Sequence, residues 1–473
     1  MIGTNPQRAP RQRHRWLTVA LLALTALPAA AQQKTGPGVP PEESLTWRGI
    51  TLYGVIDIGL QYSTHSAPFS PFRPAASGNI VRQNSIGPVT GVTPSNMGQS
   101  RVGLAGIEPL GGDWAAVFQI ETFFNPQSGE IANSLKSLTV NNGKPLKEQS
   151  VGVDGSSAGQ AFQTAFAGVR SERFGALTFG RQVTLLHDGM VAYDPHYLAT
   201  AFGLLGASNT YAGGGSSEDN RLDSTVKYRL DFNELLHVGG LYKFNGASGS
   251  GRTAVQANVG GSFAGAALDA YYSKVNSSIT SSALSASQAA ALPPGYALSS
   301  SLAATVSDNT AWALMGSYRL GSLKLFGGYE HIRYTDPDTP LKAGFINIGG
   351  YVLAFVNNTA YQDLKTGYQS PKINQVYWTG LRYTPIPHLE LTAAYYRVQQ
   401  NAYGTGSQAG CSSNAHSVCS GSLEAFSFAA DYRFNWHFDV YAGAMYSGVH
   451  DGLAAGYLNT TNINPTVGVR YKF

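Results

Sequence analysis

Along most of the chain, apolar residues alternate with polar or small ones in segments of about ten residues, and helical periodicity is scarce. In residues 51–62, Leu52, Gly54, Ile56, Ile58, Leu60 and Tyr62 share one parity, with Thr51, Tyr53, Asp57, Gly59 and Gln61 on the other. Residues 438–447 set Phe438, Val440, Ala442, Ala444 and Tyr446 against Asp439, Tyr441, Gly443, Met445 and Ser447. The closing residues place Val467, Val469, Tyr471 and Phe473 opposite Thr466, Gly468, Arg470 and Lys472. A period of two belongs to a strand whose two faces meet different surroundings. Sixteen such segments are read, at 51–62, 100–109, 114–124, 163–170, 175–182, 223–230, 236–245, 253–263, 266–276, 309–320, 323–334, 374–384, 388–400, 423–434, 438–449 and 465–473.

The connections between them alternate in length. Short ones carry turn chemistry, as in Gly111-Gly112-Asp113, Gly321-Ser322 and Asn435-Trp436-His437, whereas 63–99, 125–162, 183–222, 277–308, 335–373, 401–422 and 450–464 are long and rich in Gly, Ser, Asn and Thr. An even strand number with all long loops at one end predicts an all-β fold. It is a 16-stranded antiparallel transmembrane β-barrel with short periplasmic turns and long extracellular loops. Tyr62, Tyr242, Phe244, Tyr318, Tyr329, Tyr383, Tyr395, Tyr432 and Phe434 sit near strand ends on the apolar parity, where amphipathic rings form interfacial girdles.

Charge sharpens the picture. Only 13% of the 473 residues are charged, against roughly a quarter in soluble domains. Arg8, Arg11, Arg13 and Arg15 precede an apolar run at 17–27 too short to span a bilayer, and Ala29, Ala30 and Ala31 follow it. Residues 1–31 therefore read as a secretory signal peptide, 32–50 as a short lead-in and 51–473 as the barrel. Without the four leader arginines, Lys+Arg falls from 32 to 28 and equals Asp+Glu, so the net charge of +4 belongs to the leader. No nucleic-acid partner follows from it.

Particular stretches carry a family likeness. Leu52-Tyr-Gly-Val-Ile-Asp57, Ser100-Arg-Val-Gly-Leu104, Phe118-Gln-Ile-Glu121, Phe174-Gly-Ala-Leu-Thr-Phe-Gly-Arg-Gln182 and Val467-Gly-Val-Arg-Tyr-Lys-Phe473 resemble Gram-negative trimeric outer-membrane porins, in particular the general, non-specific porins of beta-proteobacteria. The resemblance implies a homotrimer in the cell outer membrane, in contact with lipid and lipopolysaccharide. It also implies a water-filled channel for passive diffusion of ions and small hydrophilic solutes, with loop 3 folded into the lumen as a constriction. Val469, Tyr471 and Phe473 resemble the terminal signal read by the barrel-assembly machinery. Loop 3, by position 183–223, carries Asp188, Asp194, Glu218 and Asp219. Basic wall candidates are Arg101, Lys227, Arg229, Arg382 and Arg433, with Glu121, Asp57 and Asp431 as wall acids. Arg181 shares the parity of Leu177 and Phe179, so it faces the lumen only if its strand bends or bulges. Ala105 and Gln163-Thr164 stand where relatives often carry bases, and loop 3 has no Pro-Glu-Phe-Gly-Gly stretch.

Other chemistry is sparse. Cys411 and Cys419, eight apart in an exported chain, read as a structural disulfide. Gly155-Ser156-Ser157-Ala158-Gly159 has nucleophile-elbow spacing but sits in a Gly/Ser-rich loop, without the strand and helix that motif requires. The ten His are scattered, and no Walker A motif or metal pair occurs, so no enzyme, metal or cofactor is expected. The long loop at 335–373, with Phe345, Tyr351, Phe355 and Tyr361, either covers the mouth, meets a partner or packs among loops. The alternative function is a closed or substrate-specific barrel acting as an adhesin or receptor through its loops.

Overall fold

Strand pairing turns the alternation into a wall with two faces. The computed structural model describes residues 45–70, 72, 77–151, 160–208, 221–233, 235–245, 252–339, 346–356, 359–360, 368, 370–405 and 418–473. Among the described residues, sixteen long strands form one closed antiparallel barrel. In chain order they are β1 (Ile50–Ser66), β2 (Arg101–Gly111), β3 (Trp114–Phe123), β4 (Thr164–Ser171), β5 (Gly175–Val183), β6 (Arg221–Asp231), β7 (His237–Lys243) and β8 (Ala254–Phe263). The wall continues with β9 (Ala266–Ser282), β10 (Ser301–Leu320), β11 (Leu323–Thr335), β12 (Lys372–Ile386), β13 (Leu389–Gln400), β14 (Gly421–Arg433), β15 (Phe438–Asp451) and β16 (Thr466–Lys472). Each pairs with its neighbour in sequence. The seam is β16 on β1, with Ile56 opposite Tyr471, Ile58 opposite Val469 and Leu60 opposite Val467. Phe473 completes it by exchanging backbone hydrogen bonds with Gly54 at 2.9 and 3.1 Å. Closure leaves no open sheet edge, which a hydrocarbon environment demands.

The expected faces are realised. Leu60, Val467 and Tyr471 are exposed on the outside, while Asp57, Arg470 and Lys472, from the opposite parity, are buried within. Seven of the predicted girdle rings are more than a third exposed, and Tyr329 and Tyr395 are half-buried against ring neighbours. Short turns close one end. There Gly112 (φ 61°) and Gly321 (φ 57°) adopt the left-handed backbone that a tight reversal needs.

The long-loop end is built from the loops themselves. Tyr351–Val356 pairs in parallel with the upper end of β10. Leu353 and Val356 join Leu302, Val306 and Ile279 in an apolar cluster with Leu135 and Leu138 of a short helix, α1 (Ser134–Thr139). Of the three outcomes open to the 335–373 loop, its described part thus shows packing among loops.

Candidate functional site

The described part of the connection between β5 and β6 packs against strands distant in sequence. Thr184 caps α2 (Leu185–Tyr193) by accepting from the His187 N–H at 3.1 Å, and a second short helix, α3 (Leu204–Ser208), follows. α2 packs on β7 through β11. Its Leu185, Leu186 and Met190, with Leu204 and Leu205, join one buried cluster with Met315, Ile332, Val376, Trp378 and Tyr396, all from the inner faces of β10 to β13. Fully burying such a side chain is worth about 1.5–3 kcal/mol, so several together fix this connection to one half of the wall.

Directional bonds reinforce the apolar dock. Trp378 Nε1 donates to the Tyr193 carbonyl at 3.0 Å and Arg382 Nη2 to the Asp194 carbonyl at 2.7 Å. The Arg382 guanidinium lies 3.1 Å from the Tyr197 ring centroid and 4.5 Å from that of Phe326. Asp194 is fully buried, accepting from Tyr396 Oη at 2.6 Å and from the Leu198 and His196 backbone N–H groups at 2.7 and 3.1 Å. Burial raises its carboxyl pKa against these lowering contacts. The same burial lowers His187 and His196 to about 3, so both rings are neutral at physiological pH. Further on, Thr200 Oγ1 donates to Ser95 O at 2.7 Å and Asn464 Nδ2 to Ala201 O at 3.0 Å. The connection therefore reaches across to the first and last long loops.

The other half of the wall is polar, and there a cavity of about 190 Å³ remains between α2 and β3 through β9. Charges line it in two tiers. Towards the long loops, Glu121 sits between Arg101 (3.2 Å) and Arg221 (3.8 Å) and accepts from Tyr53 Oη at 3.1 Å. Deeper, Asp188 of α2 faces Lys227 at 2.7 Å and Arg229 at 2.9 Å. Below it Asp269 contacts His237 Nε2 at 2.5 Å and accepts from Tyr193 Oη.

The sequence-derived candidates thus separate. Glu121, Asp188 and Arg229 line the cavity, and Arg101 and Lys227 are ion-paired to its acids. Asp194 and Arg382 lie in the anchor of α2, away from it. At Arg181 the pairing of β5 with β6 breaks between Gly180 and Gln182. Arg181 is buried there, with Nε donating to Gln163 O at 3.1 Å and its guanidinium ion-paired to Asp223. Glu218, Asp219 and Ser157 lie outside the described residues, as does Cys411; Cys419 is buried and disulfide-bonded.

Reading the sequence missed Arg221, His237 and Asp269. Asp269 was legible from the parity of its strand, whereas Arg221 lies just before the alternation used to define β6. It also left unconnected a buried quartet near the short turns, of which only Asp431 was named as a wall acid. Arg470 Nε meets Asp439 at 2.9 Å and Nη2 meets Asp431 at 3.0 Å, with Lys472 Nζ 2.5 Å from Asp439.

A closed barrel with an outward apolar belt and a charged interior is a transmembrane β-barrel protein. The Gram-negative porin family model matches residues 18–452, and the chain belongs to that family of outer-membrane barrels. It is 28% identical over 197 residues to an outer membrane porin protein of Bordetella pertussis; the match spans 41% of this chain and 43% of that relative. Among solved structures, the anion-selective porin from Comamonas acidovorans superposes with a TM-score of 0.57 at 16% identity, over 90% of this chain and 99% of that one. The trimer form of OmpT from Vibrio cholerae gives 0.53 at 15% identity, over 90% and 99%. At such identities these likenesses speak for the fold.

Proposed function

We propose that the barrel is a passive diffusion channel for ions and small hydrophilic solutes, filtered by size and charge at a constriction between α2 and the β3–β9 wall. The observation that carries this reading is the placement of α2. An apolar dock holds it against one half of the lumen, and Asp188 is thereby set opposite Lys227 and Arg229 in the polar half. Acids and bases facing each other across a narrow aqueous gap create a transverse field. Water and polar solutes reorient in that field as they pass, while apolar solutes must break the order. The balance of wall charges then sets ion preference. The described groups around the cavity include Arg101, Arg221, Lys227 and Arg229 against Glu121, Asp188 and Asp269, a near balance that supports only weak selectivity for anions. The channel carries out no catalysis. By the same family likeness, residues 1–31 act as a cleaved export signal, Val469, Tyr471 and Phe473 as the assembly signal, and the working unit is a homotrimer.

Purified protein in a planar bilayer under a salt gradient tests this. Expected are conductance steps closing in threes and a small reversal potential of the anion-preferring sign. A folded, heat-modifiable barrel without conductance would overturn the channel reading and leave the extracellular loops as a binding surface.

A further inference from the structure

A second cavity, of about 370 Å³, opens at the short-turn end of the barrel. Its lining comes from the β6–β7 turn, the β8–β9 turn and the adjoining ends of β10 and β11; it includes Arg319, Lys324, Ser262 and Ser317, and no acid. Arg319 shares the inward parity of Ala313 and Met315, and Lys324 that of Phe326 and Ile332. The register sets Arg319 directly opposite Lys324, and Lys324 directly opposite Arg382 on β12. Cβ atoms at such positions stand about 5 Å apart, and like charges there repel. Lys324 Nζ and the Arg382 guanidinium also share the Phe326 ring, at 4.8 and 4.5 Å from its centroid. Arg382 is committed to the Asp194 and Pro195 carbonyls. Arg319 and Lys324 form no ion pair among the described residues. Glu390, an inward acid of β13 one strand further on, pairs with neither.

Every other buried cluster of charge in the barrel sets bases against acids, as around Glu121, Asp188 and Asp439. Here two bases face each other across a cavity and their repulsion is left unanswered by the wall. A ligand of opposite charge would answer it. We propose that this pocket is a binding site for a small, multiply charged oxyanion, in which the Arg319 fork takes two oxygens and Lys324 a third. Planar guanidinium suits phosphate and carboxylate groups in that way, while the ammonium acts as a point charge beside it. The Arg319 backbone N–H donates to Gly265 O at 2.9 Å, which fixes the base of that side chain at the rim. The pocket is separate from the α2 constriction. Met315 and Trp378 cover the inner faces of β10 and β12 above it as part of the α2 dock, so it opens towards the short turns.

The test is calorimetry on the full barrel refolded in zwitterionic detergent, which reads the site whether or not the barrel conducts. Pyrophosphate is the probe and nitrate, with a single charge, the control. Pyrophosphate is expected to bind and nitrate to bind far more weakly. Arg319→Gln with Lys324→Gln is expected to weaken pyrophosphate binding about tenfold or more, the loss that removing a charge-assisted hydrogen bond brings. Arg319→Lys, which keeps the charge, should retain part of the affinity. Because the two bases repel each other in the empty pocket, the double variant should lose its folded band on heating no sooner than the unaltered chain does without pyrophosphate. A structural pair would behave the other way. Absence of pyrophosphate binding would overturn the proposal, as would equal affinity for nitrate or a double variant that binds as before. Binding lost instead in Lys227→Met with Arg229→Gln would overturn it too, assigning the anion to the constriction.

Discussion

At the scale of single residues, Asp188 is the acid on which the proposed charge filter turns. It neutralises two wall bases at hydrogen-bonding distance, and removing one partner of such a cluster leaves the others uncompensated. Asp188→Asn is expected to move the reversal potential further towards anions, and Lys227→Met with Arg229→Gln to move it towards cations. A potential that ignores both substitutions would place the filter elsewhere. Asp188 was legible because its position between the fifth and sixth strands marks it as a loop 3 acid and the parity of β6 points Lys227 and Arg229 inward. Asp194 has the same sequence credentials, yet it caps backbone N–H groups inside the dock. Nothing in alternation separates an acid that faces water from one that organises its own loop, because the difference lies in Tyr396 and Arg382, some two hundred residues away.

At the scale of elements, the α2 dock makes two demands. Gly189 lies against the Tyr271 ring so closely that an added Cβ would stand 2.5 Å from Cζ. Gly189→Leu is expected to push α2 off the wall, with conductance altered and gating noise increased, while barrel heat-modifiability persists. The second demand concerns acid. Docked, His187 and His196 take up protons only near 3, whereas in water each would do so near 6.5. The released loop therefore binds more protons in that window, and docking weakens as pH falls from about 6.5 towards 3. Asp194 acts in the opposite sense, since its raised pKa favours the docked loop in acid. Steps to a higher, noisier conductance are expected to become frequent in acid, and less so in His187→Gln with His196→Gln; an identical acid response in that double variant would count against the mechanism. The strands were readable at this scale because wall residues meet two solvents in strict alternation. α2 was not, because it is only nine residues long and buried on nearly every side, so no single polar face sets off an apolar stripe.

For the whole molecule, closure rests on the β1–β16 seam. A Cβ on Gly54 would stand 2.3 Å from the Phe473 ring and 2.8 Å from the Arg101 carbonyl. Gly54→Val is expected to cut the yield of heat-modifiable barrel sharply in refolding assays, whereas Gly240→Val, where an added Cβ meets nothing within 4 Å, should not. The barrel, its strand number and its loop asymmetry were all present in the sequence, since closure and lipid contact impose them on every strand. The division of the lumen was not, because it depends on which inner faces are apolar in three dimensions. That division bears on the order of assembly. The surface that receives α2 spans β7 to β13, so it does not exist until those strands have joined. Bringing Tyr193 to Trp378 also closes a separation of 185 residues. A newly closed barrel would first have an undivided bore. In time-resolved insertion recordings, each channel should appear at high conductance and then step down once as the loop finds its seat.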